Sequence, residues 1–253
     1  MSKIGLQMYS VGEVASKDFL GTIDKVGKMG YDGVQFAGFF DKPAKEVKRV
    51  LDANGMTAAG SHTGLEALLG DELGKTFEYN HEIGNNLIIV PYLGEELRRT
   101  EDDYKRLAET FTQVGEKCKQ NGFIFAYHNH DFEFYKLKKE LGFDLIFNNS
   151  DPNLVKIELD CYWVTYAGLD PKTYIEKYGS RVVSLHIKDV KEVDGQKRSI
   201  EIGKGELDIA GLVEAGKKVG TEWLIVEQEQ FDGDPMESTA ENVKALRAIL
   251  QSK

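Results

Sequence analysis

The chain has 253 residues, and 42 acidic against 32 basic side chains leave a formal net charge of −10, which repels nucleic-acid phosphates and anionic membrane surfaces. A small solute is the expected partner. Two cysteines, Cys118 and Cys161, are too few for a disulfide framework or a thiolate zinc site; MSKIGLQMYSV has no apolar signal region and no run nears the roughly eighteen residues of a membrane span, so a cytoplasmic protein is expected.

The length is close to the roughly 250 residues of a closed (β/α)8 barrel. Lys3 to Ser10 (KIGLQMYS) alternates as a strand, with Ile4, Leu6 and Met8 on one face and Gly5, Gln7 and Tyr9 on the other. Residues 17–29 space Phe19, Leu20, Ile23 and Val26 as a helix that stops at Gly30. DGVQFAG (32–38) reads as a second strand, Pro43 to Gly55 as a helix, and MTAAGSH as a third strand. A long helical stretch from about Leu65 to Gly84 leads to the buried strand NLIIVPYL.

The second half repeats the order. Residues 101–121 form a polar helix with an apolar stripe at Tyr104, Leu107, Phe111 and Val114. Phe123 to His130 (FIFAYHNH) then reads as a strand whose period of 2 puts Ala126, His128 and His130 on one face. DFEFYKLKKELGF is an excursion expected to form a hairpin, followed by a short helix near 144–149, VKIELDCYW as the sixth strand and PKTYIEKYG as a helix. RVVSLHIKD is the seventh strand, and KEVDGQKRSIEIGKGEL is a second excursion turning at Asp194-Gly195. A helix at about 208–219, the strand EWLIVEQEQ and a helix near 236–250 close the chain. Eight βα units in this length predict one (β/α)8 TIM barrel over residues 1–253, α/β in class, with both excursions on the face where barrels keep their active sites.

Polar residues gather at these strand ends. His62, His128, His130, His186, Asp160 and Glu227 converge on one rim, with Glu158 on the face of Asp160 and Glu229 on that of Glu227. Buried imidazoles and carboxylates in one mouth need compensation, and a divalent cation supplies it. Two imidazoles and two carboxylates suit Mn²⁺, Zn²⁺, Co²⁺ or Fe²⁺ better than Mg²⁺. Of His128 and His130, one binds the metal and the other faces substrate. His62 alone reads more readily as a hydrogen-bonded structural residue. Tyr9, Gln35, Tyr162 and Trp163 are candidates for a sugar floor or for core packing, and Lys188 for an anion or hydroxyl contact or for pairing with a rim carboxylate. GKGEL (203–207) lacks the spacing of a phosphate loop and reads as a turn before a helix capped by Asp208.

The strand ends YHNH, ELDCYW, LHIKD and IVEQEQ, with the opening IGLQMYS, resemble the sugar phosphate isomerase/epimerase family of xylose-isomerase-like barrels, which includes inosose dehydratase and, distantly, endonuclease IV. The resemblance covers the whole chain. It implies one divalent metal, usually Mn²⁺, held by Glu, Asp, His and Glu from the fifth to eighth strands; Asp160, His186 and Glu227 match the last three, and His128 stands in place of the first. In the family that Glu is also one of two opposed proton-transfer groups, so this chain departs from a two-carboxylate mechanism. The implied activity is that of a metal-dependent sugar isomerase or epimerase of carbohydrate metabolism, working through an enediolate on a keto sugar. A keto-sugar (3-keto-glycoside) lyase or dehydratase is the alternative. Glu227, His130 and His128 are the expected catalytic residues, and Tyr9, Gln35, His62, Trp163 and Lys188 the expected substrate contacts. With no arginine at any strand end, the substrate is expected to be an uncharged sugar or polyol ketone; a homo-oligomer is left open. A repair nuclease would need a basic groove, which the charge opposes, and a barrel that only binds sugar would show ligand binding without turnover.

Overall fold

The apolar runs ahead of the rim residues all become parallel strands. In the computed structural model, which describes residues 2–252, they are β1 (Lys3–Gln7), β2 (Gly33–Phe36), β3 (Thr57–His62), β4 (Leu87–Val90), β5 (Ile124–His128), β6 (Val155–Asp160) and β7 (Val182–Ile187). An antiparallel hairpin of β8 (Asp189–Val193) and β9 (Gln196–Ile200) intervenes before the last stave, β10 (Trp223–Val226). The eight staves close in the order β1-β10-β7-β6-β5-β4-β3-β2, with Gly5 of β1 opposite Ile225 on one side and Gly33 on the other. The expected closed barrel is present.

Parallel strands covered by helices are buried on both faces, which is why these runs are so apolar. Outward residues such as Ile4, Leu6, Val34 and Phe36 join helix residues Phe19, Ile23, Val47, Leu51 and Phe111 in the main core. Inside, Ala59, Trp223 and Ile225, with Leu87, Ile89 and Ala126, form an apolar floor. The Trp223 indole fits there because β2 offers a glycine: a Cβ on Gly33 would lie 2.9 Å from its Cη2 and 2.3 Å from the Thr57 carbonyl oxygen. Above this floor the barrel interior turns polar.

Several boundaries differ from expectation, each for a local reason. The first strand stops at Gln7, whose side-chain carbonyl accepts the Tyr9 N–H (3.1 Å) and starts a 3-10 turn, Met8–Val11. The helix expected over 17–29 is two, Gly12–Lys17 and Phe19–Met29, because Asp18 caps the second through the Gly21 N–H. The stretch from Leu65 to Gly84 likewise splits into Leu65–Leu69 and Leu73–Glu82. The fifth strand ends at His128, leaving His130 on the loop beyond it. After it comes a 3-10 turn, Phe132–Phe134, and a single antiparallel bridge, Lys136 to Leu141, in place of a full hairpin. VKIELDCYW is not all strand: Asp160 Oδ1 accepts the Trp163 N–H (2.9 Å) and caps a helix, Cys161–Tyr166.

The excursion after β7 turns at Asp194 and Gly195, both at positive φ (52° and 76°), as an Asp-Gly hairpin requires. Asp189 holds its return. The Asp189 carboxylate accepts N–H groups from Val190 (2.9 Å), Gly203 (2.9 Å), Gly205 (3.1 Å) and Leu207 (3.0 Å), so the 203–207 loop is filled by the chain's own anion. Among the described residues no helix is long and apolar enough to cross a membrane.

Candidate active site

At the C-terminal mouth of the barrel lies a cavity of about 660 Å³ bordered by Tyr9, His62, Tyr92, His128, His130, Trp163, Glu227 and Glu229, among others. That volume is within the usual range for small-molecule sites. Its base is a polar layer built from inward residues near the strand ends; on β6 Glu158 and Asp160, and on β7 Ser184 and His186, come two residues apart because the period of 2 brings alternate residues inward.

Glu158 is the hub of this layer. It is fully buried, and its Oε1 meets His62 Nε2 (2.8 Å) and His186 Nε2 (2.9 Å), with His128 Nδ1 at 3.3 Å. Its Oε2 accepts from Gln35 Nε2 (2.5 Å) and Ser184 Oγ (2.8 Å). Burial opposes its charge, but the facing His186 first and then the hydrogen bonds of His128, His186 and His62 hold the carboxyl well below its usual range. Gln7 extends the layer, donating to Gln35 Oε1 (2.7 Å) and reaching His62 Nδ1 (3.2 Å). With Nδ1 accepting from Gln7, His62 carries its proton on Nε2 and donates it to Glu158.

His186 has oxygen acceptors on both nitrogens: Gln35 Oε1 (2.8 Å) and Glu158 at Nε2, and Glu227 Oε2 (2.9 Å) at Nδ1. Burial disfavours its charge, yet Glu158 and Glu227 outweigh it and lift the pKa to about 10. His128 is the opposite case, pushed well below its usual value by burial and then by the His186 charge.

Lys188 runs beside them, its ammonium 2.9 Å from Asp160 Oδ2, 2.8 Å from Glu227 Oε2 and 2.7 Å from Glu229 Oε1. Burial works against this cation too, but the three carboxylates, Asp160 first, raise its pKa well above the ordinary value. Asp160 itself is raised to about 6 by burial, against the pull of Lys188. Asn129 fixes its backbone, accepting the Asp160 N–H at 3.0 Å.

His128, Asp160, His186 and Glu227 present ligand atoms that all lie within 4.8 Å of one another. A second group, His62, His128, Glu158 and His186, meets the same limit. The first suits a catalytic ion better. Asp160 Oδ2 is met closely, at 2.9 Å, by the Lys188 ammonium alone, and His128 and Glu227 border the cavity, whereas both oxygens of Glu158 are occupied by imidazoles, an amide and a hydroxyl beneath it, among the described residues.

His130 stands above, enclosed by rings: Tyr92 edge-on at 5.4 Å, Phe132 stacked at 5.6 Å and Trp163 at 5.6 Å. That enclosure, and then the Lys188 charge, lowers its pKa to about 4 and leaves it neutral. Its Nδ1 and the Trp163 Nε1–H are buried without hydrogen-bond partners among the described residues. Glu133 sets the loop, accepting the His130 backbone N–H (2.9 Å) and the Tyr127 hydroxyl.

Of the expected substrate contacts, His62 and Trp163 border the cavity and Tyr9 stands at its rim, 66% exposed, rather than on its floor. Gln35 and Lys188 are both buried below the cavity and tied to protein partners, Lys188 to the rim carboxylates, because a buried amide or ammonium must satisfy its own donors first. Gln7, Tyr92 and Glu133 were not anticipated. Tyr92 directly follows NLIIV and Pro91, so the strand-end rule that singled out the histidines would have found it. Gln7 is the last residue of β1 and obeys the same rule once the strand is ended there.

The comparisons with known proteins agree with this architecture. Residues 23–249 match the xylose isomerase-like TIM barrel family. The inosose dehydratase of Lacticaseibacillus casei is 24% identical over 90% of this chain and 88% of its own length, and that of Clostridium tetani 23% over 85% and 84%. The crystal structure of a sugar phosphate isomerase/epimerase from Parabacteroides distasonis superposes with a TM-score of 0.82 at 26% identity, covering 98% of this chain and 94% of that one. With the barrel, its rim and a family match across most of its length, the chain belongs to the xylose isomerase-like TIM barrel family.

Proposed function

We propose that the protein is a divalent-metal-dependent enzyme that removes the proton beside the carbonyl of an uncharged keto sugar, with β-elimination as the outcome. The observation that carries this reading is the meeting of His128, Asp160, His186 and Glu227 under a cavity that His128 and Glu227 themselves border. These four are the proposed ligands; mixed nitrogen and oxygen donors suit Mn²⁺, Zn²⁺, Co²⁺ or Fe²⁺. A bound ion supplies Lewis acidity, polarising a substrate carbonyl so that the neighbouring C–H becomes acidic.

The chain's own groups do the rest. His130, neutral and bordering the cavity, is the proposed base. His62 and Trp163 border the cavity as ring surfaces, and Tyr9 and Tyr92 flank it. Ionised Glu227, held by Lys188 and His186, keeps its charge beside the reacting carbons. Epimerisation needs two proton-transfer groups on opposite faces of the substrate. Among the described residues the cavity has carboxylates only at Glu227 and Glu229, which follow one strand and share Lys188. Elimination needs one base and a leaving group, and relatives named inosose dehydratase support that branch. Isomerisation or epimerisation is the second reading, supported by the isomerase/epimerase neighbour.

Mass-resolved analysis of a 3-keto glucoside incubation in D₂O tests it. Release of the leaving group without isomerised sugar supports elimination. Recovered isomer carrying carbon-bound deuterium, with the aglycone retained, would overturn that choice in favour of the second reading.

A further inference from the structure

We propose that the groove between the β8–β9 hairpin and the helix Cys161–Tyr166 is a second saccharide subsite, so that the substrate carries two sugar rings. The first ring's place rests on the function proposed above. The groove is a cavity of about 530 Å³ lined by Tyr162, Trp163, Tyr166, Lys197 and Glu229, among others. It shares Trp163, Glu229 and Gln230 with the main cavity, so the two cavities adjoin.

Its chemistry suits a neutral ring. Tyr162, Trp163 and Tyr166 form one aromatic group, with centroids 5.0 Å (Tyr162 to Trp163) and 5.2 Å (Trp163 to Tyr166) apart, and Tyr166 is 38% exposed. Aromatic faces cover the C–H side of a pyranose, while Gln196, Gln230 and Glu229 supply hydrogen bonds to its hydroxyls. The lining cation is not free for a phosphate: Lys197 Nζ donates to the Thr165 (3.0 Å) and Tyr166 (3.1 Å) carbonyls that end the helix. Those bonds, with the Tyr162 hydroxyl on the Lys197 carbonyl (3.3 Å), also fasten the hairpin to the helix. Ser199 Oγ further accepts the Glu229 and Gln230 N–H groups, both at 3.2 Å. The groove is therefore a built wall rather than a gap beside a loose loop.

With a ring in each cavity, the glycosidic oxygen lies at the wall they share. For a ring oxidised at C3, loss of the C2 proton and of the C1–O bond forms a C1=C2 double bond. The second sugar departs with the bonding pair and takes up a proton as its free hydroxyl; no oxidant or reductant is consumed.

Isothermal titration calorimetry of the metal-loaded protein with glucose, trehalose, maltose and cellobiose, none of which is oxidised at C3, tests the subsite without turnover. At least one disaccharide is expected to bind tenfold tighter than glucose or more, with Tyr166→Ala and Gln196→Tyr each removing most of that advantage. Gln196 is on the exposed hairpin, so its variant fills the groove without touching the helix. No disaccharide binding more than twofold tighter than glucose, or an advantage that survives both variants, would overturn the proposal. A disaccharide preference without turnover of any keto sugar would leave the subsite standing and remove the reaction assigned above.

Discussion

The Lys188 ammonium lies 2.8 Å from Glu227 Oε2, with its own side chain fully buried and that of Glu227 only 7% exposed. The same cation reaches Asp160 and Glu229, so one lysine offsets two buried carboxylates and a third that is partly open to solvent. Removing one partner from a buried ion pair costs about 3–5 kcal/mol, because the remaining charge is left uncompensated. Lys188→Met is therefore expected to lose about that much stability in metal-depleted protein. Added Mn²⁺ or Zn²⁺ should restore at least half, since a divalent ion at Asp160 and Glu227 replaces the missing charge. Urea denaturation with and without metal measures both effects, and a loss that metal does not repair would contradict the shared-charge account.

Asp160 has two separable tasks: Oδ1 caps the helix Cys161–Tyr166, while Oδ2 is the proposed ligand. Asp160→Asn keeps an oxygen for the cap and gives up the anionic donor. Its metal affinity should fall by about a hundredfold or more with little change in melting temperature, whereas Asp160→Ala should lose about 1 kcal/mol besides. His186→Ala should likewise release metal. Full metal content in Asp160→Asn and His186→Ala after dialysis, measured by plasma mass spectrometry, would remove both residues from the site.

Glu133 gives the stability a pH signature. Burial raises its carboxyl to about 8, against the hydrogen bonds from Tyr127 and His130. In the unfolded chain it titrates near the ordinary value of about 4.3. Between the two values the folded state retains a proton that the unfolded chain has lost, so stability is greatest at the acid end and declines as pH rises toward 8. Glu133→Gln cannot ionise, and glutamine can still accept the His130 N–H while donating to the Tyr127 oxygen. The variant should gain on the parent by up to about 1.4 kcal/mol per pH unit through that window and then level off. Thermal melts across the range check this, and a constant difference would show that Glu133 stays ionised.

Substrate charge is a separate expectation. Glu227 and Glu229 border the main cavity, and among the described residues no lysine or arginine does. A sugar phosphate would bring its charge against these carboxylates without a cationic partner. Its kcat/KM should not exceed that of the unphosphorylated keto sugar; a hundredfold preference for the phosphate would require a cation that this arrangement lacks.

Strand-end chemistry was legible in the sequence because a parallel barrel makes it so. Apolar runs buried on both faces, each closed by a polar residue, locate the rim without any knowledge of contacts, and His62, His128, Asp160, His186 and Glu227 all came from that rule. What stayed hidden was where each strand hands over to the next element. In VKIELDCYW the apolar pattern runs straight across Asp160, yet that carboxylate caps a helix, so Tyr162 and Trp163 leave the barrel wall and shape the groove beside it. At FIFAYHNH one more strand residue or one fewer decides which histidine joins the polar layer, and the chain turns after His128. The role of Glu158 could not be read from spacing. Its importance lies in three imidazoles arriving from three other strands, a long-range fact.

The Asp189 carboxylate inside the 203–207 loop turns an anion receptor into a latch. Its guest is part of the chain, so its effective concentration is fixed by covalent connection, and dissolved phosphate or sulfate cannot compete with it by mass action. The segment returning from β9 therefore keeps its place whatever anions surround the protein. A sugar arriving at the groove beside that hairpin meets a surface already ordered, and little of its binding free energy is spent arranging the wall it stacks against.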